Sequence, residues 1–503
     1  MTAVSDQAVA MPVRFPDSIA FRGFFAPVRI EADVYDLEVE GEIPADLDGA
    51  FYRAAADTQY PPGHQDDIYI NGDGMITMVR IKEGHADLRS RFVRTERFKL
   101  ERQARRSLFG AYRNYLTDDP SVAGVDDGNA NTALVWHGGR LLALKEAARP
   151  YELDPLTLET KGIYDFHGQL ESRTFTAHPK VDPNTGEMFA FAYNSSGRPD
   201  EDVLLFDVSP GGAITRTQRF RAPYSSMMHD WLVTEQHVIF TFSPMISDFD
   251  RMATHPQYFM WDAQQGSHVA IIPRGPEGVA GIKWFSSDTV METHSLNAYT
   301  VGDTVVADHF VADSGWFSQF PDILSGSADE KPPFPKRWTF DLRQGADAPT
   351  VGGPTYTVED LYSCPGDMPR VDPRILMSRN RHSWIGCLDL SLGPMPEFGP
   401  MGPPFNCLVH LDDQTGERTS YYPGPDSAPE EPVFVPRHEG AAEGDGYLIS
   451  VVSRRALNRN DIVILDALDL AAGPLAVLKV PFRLRYAFHG TWIPGSDLDR
   501  LRR

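Results

Sequence analysis

Cysteine is scarce: 3 in 503 residues, Cys364, Cys387 and Cys407, with no Cys-x-x-Cys spacing. An odd, unpaired set fits neither a disulfide framework nor a thiolate metal site, and it points to a reducing, cytoplasmic setting. Long apolar runs are missing as well. Nowhere do about 18 consecutive apolar residues occur, the length a transmembrane helix needs. The start, Met1 to Ser18, lacks a cationic segment followed by an apolar one, so no secretory leader is expected. Positive charge is in deficit, with 47 Lys+Arg against 70 Asp+Glu and a formal net charge of −23. Such a surface repels a phosphate backbone, which argues against nucleic acid as a partner. No Gly-x-Gly-x-x-Gly follows a strand pattern, and nothing else suggests an organic cofactor.

What is present is ordinary globular material, 42% hydrophobic and 23% charged, enough to bury a large core. No Ser/Gly-rich or charge-block linker cuts the chain, so one domain is expected over residues 1–503. Several segments repeat one pattern, a β-branched or aromatic run, a turn rich in Asp, Gly, Pro or Asn, and a second run. Tyr151-Glu-Leu-Asp-Pro, His178-Pro-Lys-Val-Asp-Pro-Asn-Thr-Gly, Leu205-Phe-Asp-Val-Ser-Pro-Gly-Gly, Val409-His-Leu-Asp-Asp-Gln-Thr-Gly and Val463-Ile-Leu-Asp-Ala all show it. These read as hairpins.

Hairpins recur from about residue 130 to 490 with few long segments of helical period, which indicates an all-β architecture. A propeller with inserted loops fits best, and a pair of β-sandwiches is the alternative. The 40 prolines and 41 glycines then fall mainly in connections. The stretch Phe240 to Trp261 offers an apolar membrane-touching patch for an oily substrate, although the same residues also read as core strands and loops.

Of 15 histidines, four stand in small or apolar surroundings where an unpaired imidazole is costly. They are His178 in Thr-Ala-His-Pro, His229 in Met-Met-His-Asp-Trp, His294 in Glu-Thr-His-Ser and His489 in Ala-Phe-His-Gly-Thr-Trp. Separations of 51, 65 and 195 residues exclude a local helical motif such as His-Glu-x-x-His. In a propeller the inner strands line one axis, so distant residues can converge there. Imidazole suits Zn, Cu, Fe and Ni alike, so the ligands alone do not name the metal.

These four contexts, in this order, resemble the four-histidine iron site of the carotenoid cleavage oxygenases. The likeness runs from Asp36-Leu-Glu-Val-Glu-Gly-Glu-Ile-Pro to His489-Gly-Thr-Trp. It implies a seven-bladed β-propeller, with loops and short helices capping the iron-bearing face, and a non-haem Fe(II) held by His178, His229, His294 and His489. The family places three glutamates behind its histidines. Glu146 in Leu-Lys-Glu and Glu431 before Pro-Val-Phe-Val-Pro-Arg match two of them. Asp367 stands for the third, one methylene shorter, so its bond to histidine is expected to be lengthened or bridged by water. Thr300, after Asn297-Ala-Tyr, occupies a position where an acid is common.

Phe51-Tyr-Arg-Ala-Ala-Ala-Asp, Asn71-Gly-Asp-Gly-Met, Phe109-Gly-Ala-Tyr-Arg-Asn and Leu144-Lys-Glu resemble the lignostilbene dioxygenases within that family. The resemblance implies an oxygenase that splits the central C=C of a 4-hydroxystilbene with O2 into two aromatic aldehydes. Tyr112 and Lys145 match the residues that contact the 4-hydroxyl, and Thr132 matches a position on the oxygen-binding side of the metal. Ile70 replaces an aromatic that packs on the substrate ring, which leaves the substrate less defined than the reaction. Neighbours on a strand face opposite sides, so Lys145 and Glu146 can both serve one site only if one supports it from behind. The implied partners are a phenolic alkene and O2, and the sequence allows a homodimer. An apocarotenoid or carotenoid oxygenase is the enzymatic alternative; a non-catalytic propeller binding protein is the alternative of another class.

Overall fold

The structure is a computed structural model that describes residues 14–64, 67–315, 320, 331–394, 399–400, 402 and 404–501. Most of the Met1 to Ser18 segment, read above as leader-free, lies outside the described residues. Strands dominate, and among the described residues the longest helix is Glu96–Ala104. No described helix is long and apolar enough to cross a membrane.

Seven sheets of four to six antiparallel strands form the blades of a propeller, and a separate two-stranded ribbon pairs Met245–Ser247 with Phe259–Trp261. The ring is closed from both ends of the chain. Blade one takes its inner strand, Ala487–Pro494, from the C-terminus, paired with Gly49–Asp57. Blade seven takes its outer strand, Val39–Gly41, from the N-terminus, paired with Pro474–Lys479. Blades two to six are each built from one run of chain. Terminal strands complete blades one and seven and so tie both ends of the chain into the ring, while each blade keeps short inner and outer edges.

The expected hairpins form, and their turns show why the sequence specifies them. Asp154, Asp182 and Asp412 each use Oδ1 to accept the backbone N–H groups two and three residues on, at 2.8–3.3 Å. Each turn then needs one left-handed residue, supplied by Gly186 (φ +73) and Gly416 (φ +73), and in blade two by Leu158 (φ +59). The hairpins expected from the sequence begin only near residue 130, yet blade one already starts with its outer strand, Ala32–Val34. Its strands Gly49–Asp57 and Asp73–Lys82 are joined by a long connection, but Asp73–Lys82 turns into His85–Phe92 through two left-handed residues, Glu83 (φ +53) and Gly84 (φ +78), a short turn that the sequence reading passed over.

The patch expected at Phe240 to Trp261 is not on the surface. Phe240, Phe242, Met245, Tyr258, Phe259 and Trp261 are all buried in the largest hydrophobic cluster, and only Phe249 is exposed. Apolar composition alone did not separate inside from outside. Two connections tie together over one end of the ring: Asn114 Nδ2, between blades one and two, donates to the carbonyls of Met252, His255 and Pro256 in blade four.

Candidate metal centre

Each blade delivers one residue to the axis from its inner strand or the residues flanking it. Blade one gives His489, blade two Thr132, blade three His178, blade four His229, blade five His294, blade six Asp367 and blade seven Glu431. In blade seven the inner edge is two short strands, Ser427–Pro429 and Val433–Pro436, and the break between them frees Glu430 and Glu431. Glu146 comes from just past the second strand of blade two, Arg140–Leu144.

The four imidazoles meet. One ligand nitrogen from each lies within 4.8 Å of all the others. Carboxylates stand behind three of them: His229 Nδ1 is 3.1 Å from Glu146 Oε2, His294 Nδ1 2.9 Å from Asp367 Oδ1, and His489 Nδ1 2.8 Å from Glu431 Oε1. A carboxylate on Nδ1 fixes the N–H there and leaves a lone pair on Nε2.

His229 Nε2 and His294 Nε2 then face each other at 3.1 Å, an arrangement that needs a metal ion or a proton between the two nitrogens. His178 Nε2 is buried with no hydrogen-bond partner among the described residues. Converging neutral donors with an orphaned member fit a transition-metal ion. Burial holds the His178 imidazole well below its usual value and brings His489 down to about 4, so both are neutral ligands at pH 7. Burial pushes Glu146 and Glu431 upward. The His229 hydrogen bond for Glu146, and Arg370 and His489 for Glu431, outweigh it and hold both carboxyls near about 2.

Asp367 departs from expectation. Its hydrogen bond is direct and of ordinary length, because the backbone advances the side chain. Strand Gly366–Val371 carries a register shift between Asp367 and Arg370, with Met368 at φ +55, a bulge that re-aims a side chain. Gly366 permits the close approach: a Cβ there would lie 2.5 Å from the carbonyl oxygen of Gly386. Thr300 has no part in the site. Its hydroxyl bonds Thr234 Oγ1 (2.8 Å) and His237 Nδ1 (3.1 Å), joining blades four and five.

Sequence reasoning missed three charged groups. Asp230, next to His229, is 4.0 Å from His178 Nδ1 and is tied to Lys180 and Ser295. Arg370 donates to Glu431 Oε2 at 2.7 Å. Arg113, largely buried, donates to the Tyr193 hydroxyl at 2.6 Å and lies 3.8 Å from Glu146 Oε1, with the rings of Tyr193, Tyr258 and Phe259 about its guanidinium. The Asp after His229 was the one visible signal, an acid adjacent to a candidate ligand.

His229, His294 and His489 line a cavity of about 1170 Å3, including its mouth, with Thr132, Tyr112, Lys145 and Ile70. The strand before Lys145 ends at Leu144, so strand alternation does not govern Lys145 and Glu146, and both face this cavity.

Lys145 Nζ bonds the Ile70 carbonyl (3.4 Å) and Asn131 Oδ1 (3.3 Å) and sits 4.9 Å from the Tyr112 ring centre. Burial draws its ammonium down to about 8. The Tyr112 hydroxyl donates to Glu146 Oε1 at 3.2 Å, and burial with Glu146 beside it raises its pKa well above the usual value. Thr132 Oγ1 donates to Asn131 Oδ1 at 2.9 Å. Ile70 leaves the wall aliphatic at its own position, but Phe25, Phe405, Tyr486 and Phe488 line the same cavity.

A seven-bladed propeller whose axis carries four converging histidines backed by carboxylates defines a class, the propellers with an axial metal centre. The chain belongs to the retinal pigment epithelial membrane protein (RPE65) family, whose profile matches residues 25–494, the family of the carotenoid cleavage oxygenases. It is 40% identical over 490 residues to lignostilbene-alpha,beta-dioxygenase isozyme III of Sphingomonas paucimobilis, covering 96% of this chain and 99% of that one. It is 39% identical over 474 residues to isoeugenol monooxygenase of Pseudomonas nitroreducens, covering 94% and 97%. The solved lignostilbene dioxygenase of Pseudomonas brassicacearum matches with a TM-score of 0.89 at 38% identity, over 96% of this chain and 100% of that chain.

Proposed function

We propose that this protein is a non-haem Fe(II) dioxygenase, acting as one domain over residues 1–503, that splits the central C=C of a 4-hydroxystilbene with O2. Each alkene carbon receives one oxygen atom, giving two aromatic aldehydes. One observation carries the reading: Tyr112 and Lys145, a phenol and an ammonium, stand in the cavity that the histidines line, amid mostly apolar walls.

Iron, held by His178, His229, His294 and His489, would supply the redox chemistry that lets O2 react with an alkene. The chain's own residues do the rest. Phe25, Phe405, Tyr486 and Phe488 offer aromatic and apolar faces to the two rings and exclude water. Lys145 meets the 4-hydroxyl and favours its ionised form by a charge-assisted hydrogen bond. A phenolate pushes electron density through the ring to the alkene. Thr132 lines the cavity beside His489, its carbonyl accepting the His489 backbone N–H at 3.2 Å.

The test is an aerobic assay of iron-loaded protein with a 4-hydroxystilbene beside an apocarotenal, with products analysed under 18O2. The expected result is label in both aldehydes from the stilbene and little reaction of the apocarotenal. Preferential cleavage of the apocarotenal would overturn the substrate class, and no cleavage of either by iron-loaded protein would overturn the enzymatic reading.

A further inference from the structure

Glu146 is where the two halves of the site meet. Its Oε2 faces the Nδ1 of His229 at 3.1 Å, while its Oε1 accepts the hydroxyl hydrogen of Tyr112 at 3.2 Å. Arg113 Nη1, 3.8 Å from Oε1, gives the buried carboxylate a counter-charge. One carboxylate thus serves a group that faces the ligand cavity and a group that faces the metal. A tyrosine hydroxyl has a single hydrogen to donate. With no ligand bound, that hydrogen goes to Glu146. A phenol oxygen in the cavity, within reach of Tyr112, competes for it.

We propose that Tyr112 passes its hydroxyl hydrogen bond from Glu146 to the phenol oxygen of a bound ligand, so that phenol binding tightens the metal through Glu146 and His229. The inference rests on the phenolic-alkene reading above. Once Tyr112 turns away, the charge of Glu146 falls on fewer donors and its bond to the His229 N–H strengthens. A stronger acceptor behind a ligating histidine makes its other nitrogen a better donor. The change needs only rotation about the Cζ–O bond of Tyr112. By linkage, the metal tightens the phenol by the same factor as the phenol tightens the metal. An alkene without a phenol leaves the hydrogen on Glu146, so the metal registers whether the substrate carries the recognised hydroxyl.

Co(II) competed against a chelator serves as the metal probe, and 4-hydroxybibenzyl, the saturated and unreactive counterpart of a 4-hydroxystilbene, as the ligand. Binding of the bibenzyl is followed separately by calorimetry. In the unsubstituted protein, saturating bibenzyl should tighten Co(II) by about fivefold, the lower end of common coupling factors, and shift the Co(II) visible bands. In Tyr112→Phe the bibenzyl should still bind, more weakly, without tightening Co(II), whose affinity should already stand at the raised level.

Equal tightening in both proteins would show a route that bypasses Tyr112 and overturn the inference. Bibenzyl binding with unchanged Co(II) affinity in the unsubstituted protein would overturn it too, while leaving the proposed function standing. Failure of the bibenzyl to bind either protein would overturn the phenolic reading, and this inference with it.

Discussion

Asp367 Oδ1 lies 2.9 Å from His294 Nδ1, a direct bond made by a side chain one methylene shorter than its counterparts Glu146 and Glu431. The backbone makes up the difference. The bulge between Asp367 and Arg370 and the left-handed Met368 bring the carboxylate inward, and Met368 N–H donates back to Asp367 Oδ1 at 2.9 Å, fixing its direction. The acceptor is therefore held from two sides.

Removing this acceptor should loosen His294. Losses behind a metal ligand typically cost roughly 10 to 100-fold in metal affinity or activity, so Asp367→Ala is expected in that range, measured as Fe(II) affinity and turnover. Because the bulge already sets the distance, Asp367→Glu should not improve on the native residue and should fall between native and Ala. Equal iron content and rate in Asp367→Ala would remove the residue from the site.

Iron analysis of anaerobically purified protein should give about one ion per chain, as a single four-imidazole site requires. His229→Ala removes one donor and leaves Glu146 facing a gap. Nearly all metal and all turnover should be lost, while circular dichroism shows the propeller intact, since His229 lies outside the strands. Retention of stoichiometric iron would refute the ligand assignment.

Local features of this molecule were legible in the sequence, and features set by distant backbone were not. The Asp-led turns at Asp154, Asp182 and Asp412 carry their own hydrogen bonds and need no tertiary context. The histidines were found through their flanking residues, not their spacing. The directness of the Asp367 bond depends on a bulge, a matter of register between strands that residue identity does not encode. Lys145 and Glu146 seemed in conflict only on the assumption that their strand continues past Leu144. Arg113 escaped notice because its partners Tyr193, Tyr258 and Phe259 lie 80 to 146 residues away, and a buried arginine has no periodic signature.

Arg113 itself makes a clear prediction. It is the nearest cation to Glu146, in a cage of three aromatic rings. Removing one partner of a buried charge pair costs about 3–5 kcal/mol, so Arg113→Gln should lower the thermal midpoint by several degrees. A melting curve that matches the native protein would show that Arg113 does not support Glu146.

Lys145 separates recognition from catalysis. Lys145→Met keeps length but removes the charge and the hydrogen bond, a loss of about 1.5–3 kcal/mol for a bond to a charged group. At about 1.4 kcal/mol per decade that is roughly ten- to a hundredfold in kcat/KM, expected with a 4-hydroxystilbene and small for a stilbene lacking the phenol, with iron content unchanged. Burial draws the ammonium from 10.5 to about 8, so the charge is present below pH 8 and lost above it. Native kcat/KM should therefore fall as pH rises through about 8, and the Met variant should show no such fall.

The same shift bears on stability with a definite sign. A lysine whose folded pKa is depressed destabilises the fold fully below the folded value, and the penalty vanishes above the unfolded one. Lys145→Met should thus stabilise the protein at pH 7, by something on the order of 1–3 kcal/mol, with the gain shrinking between about pH 8 and 10.5. A variant less active yet more stable is the mark of a residue kept for the ligand. One that loses both, or loses activity equally on both stilbenes, would show that Lys145 instead holds Ile70 and Asn131 in place.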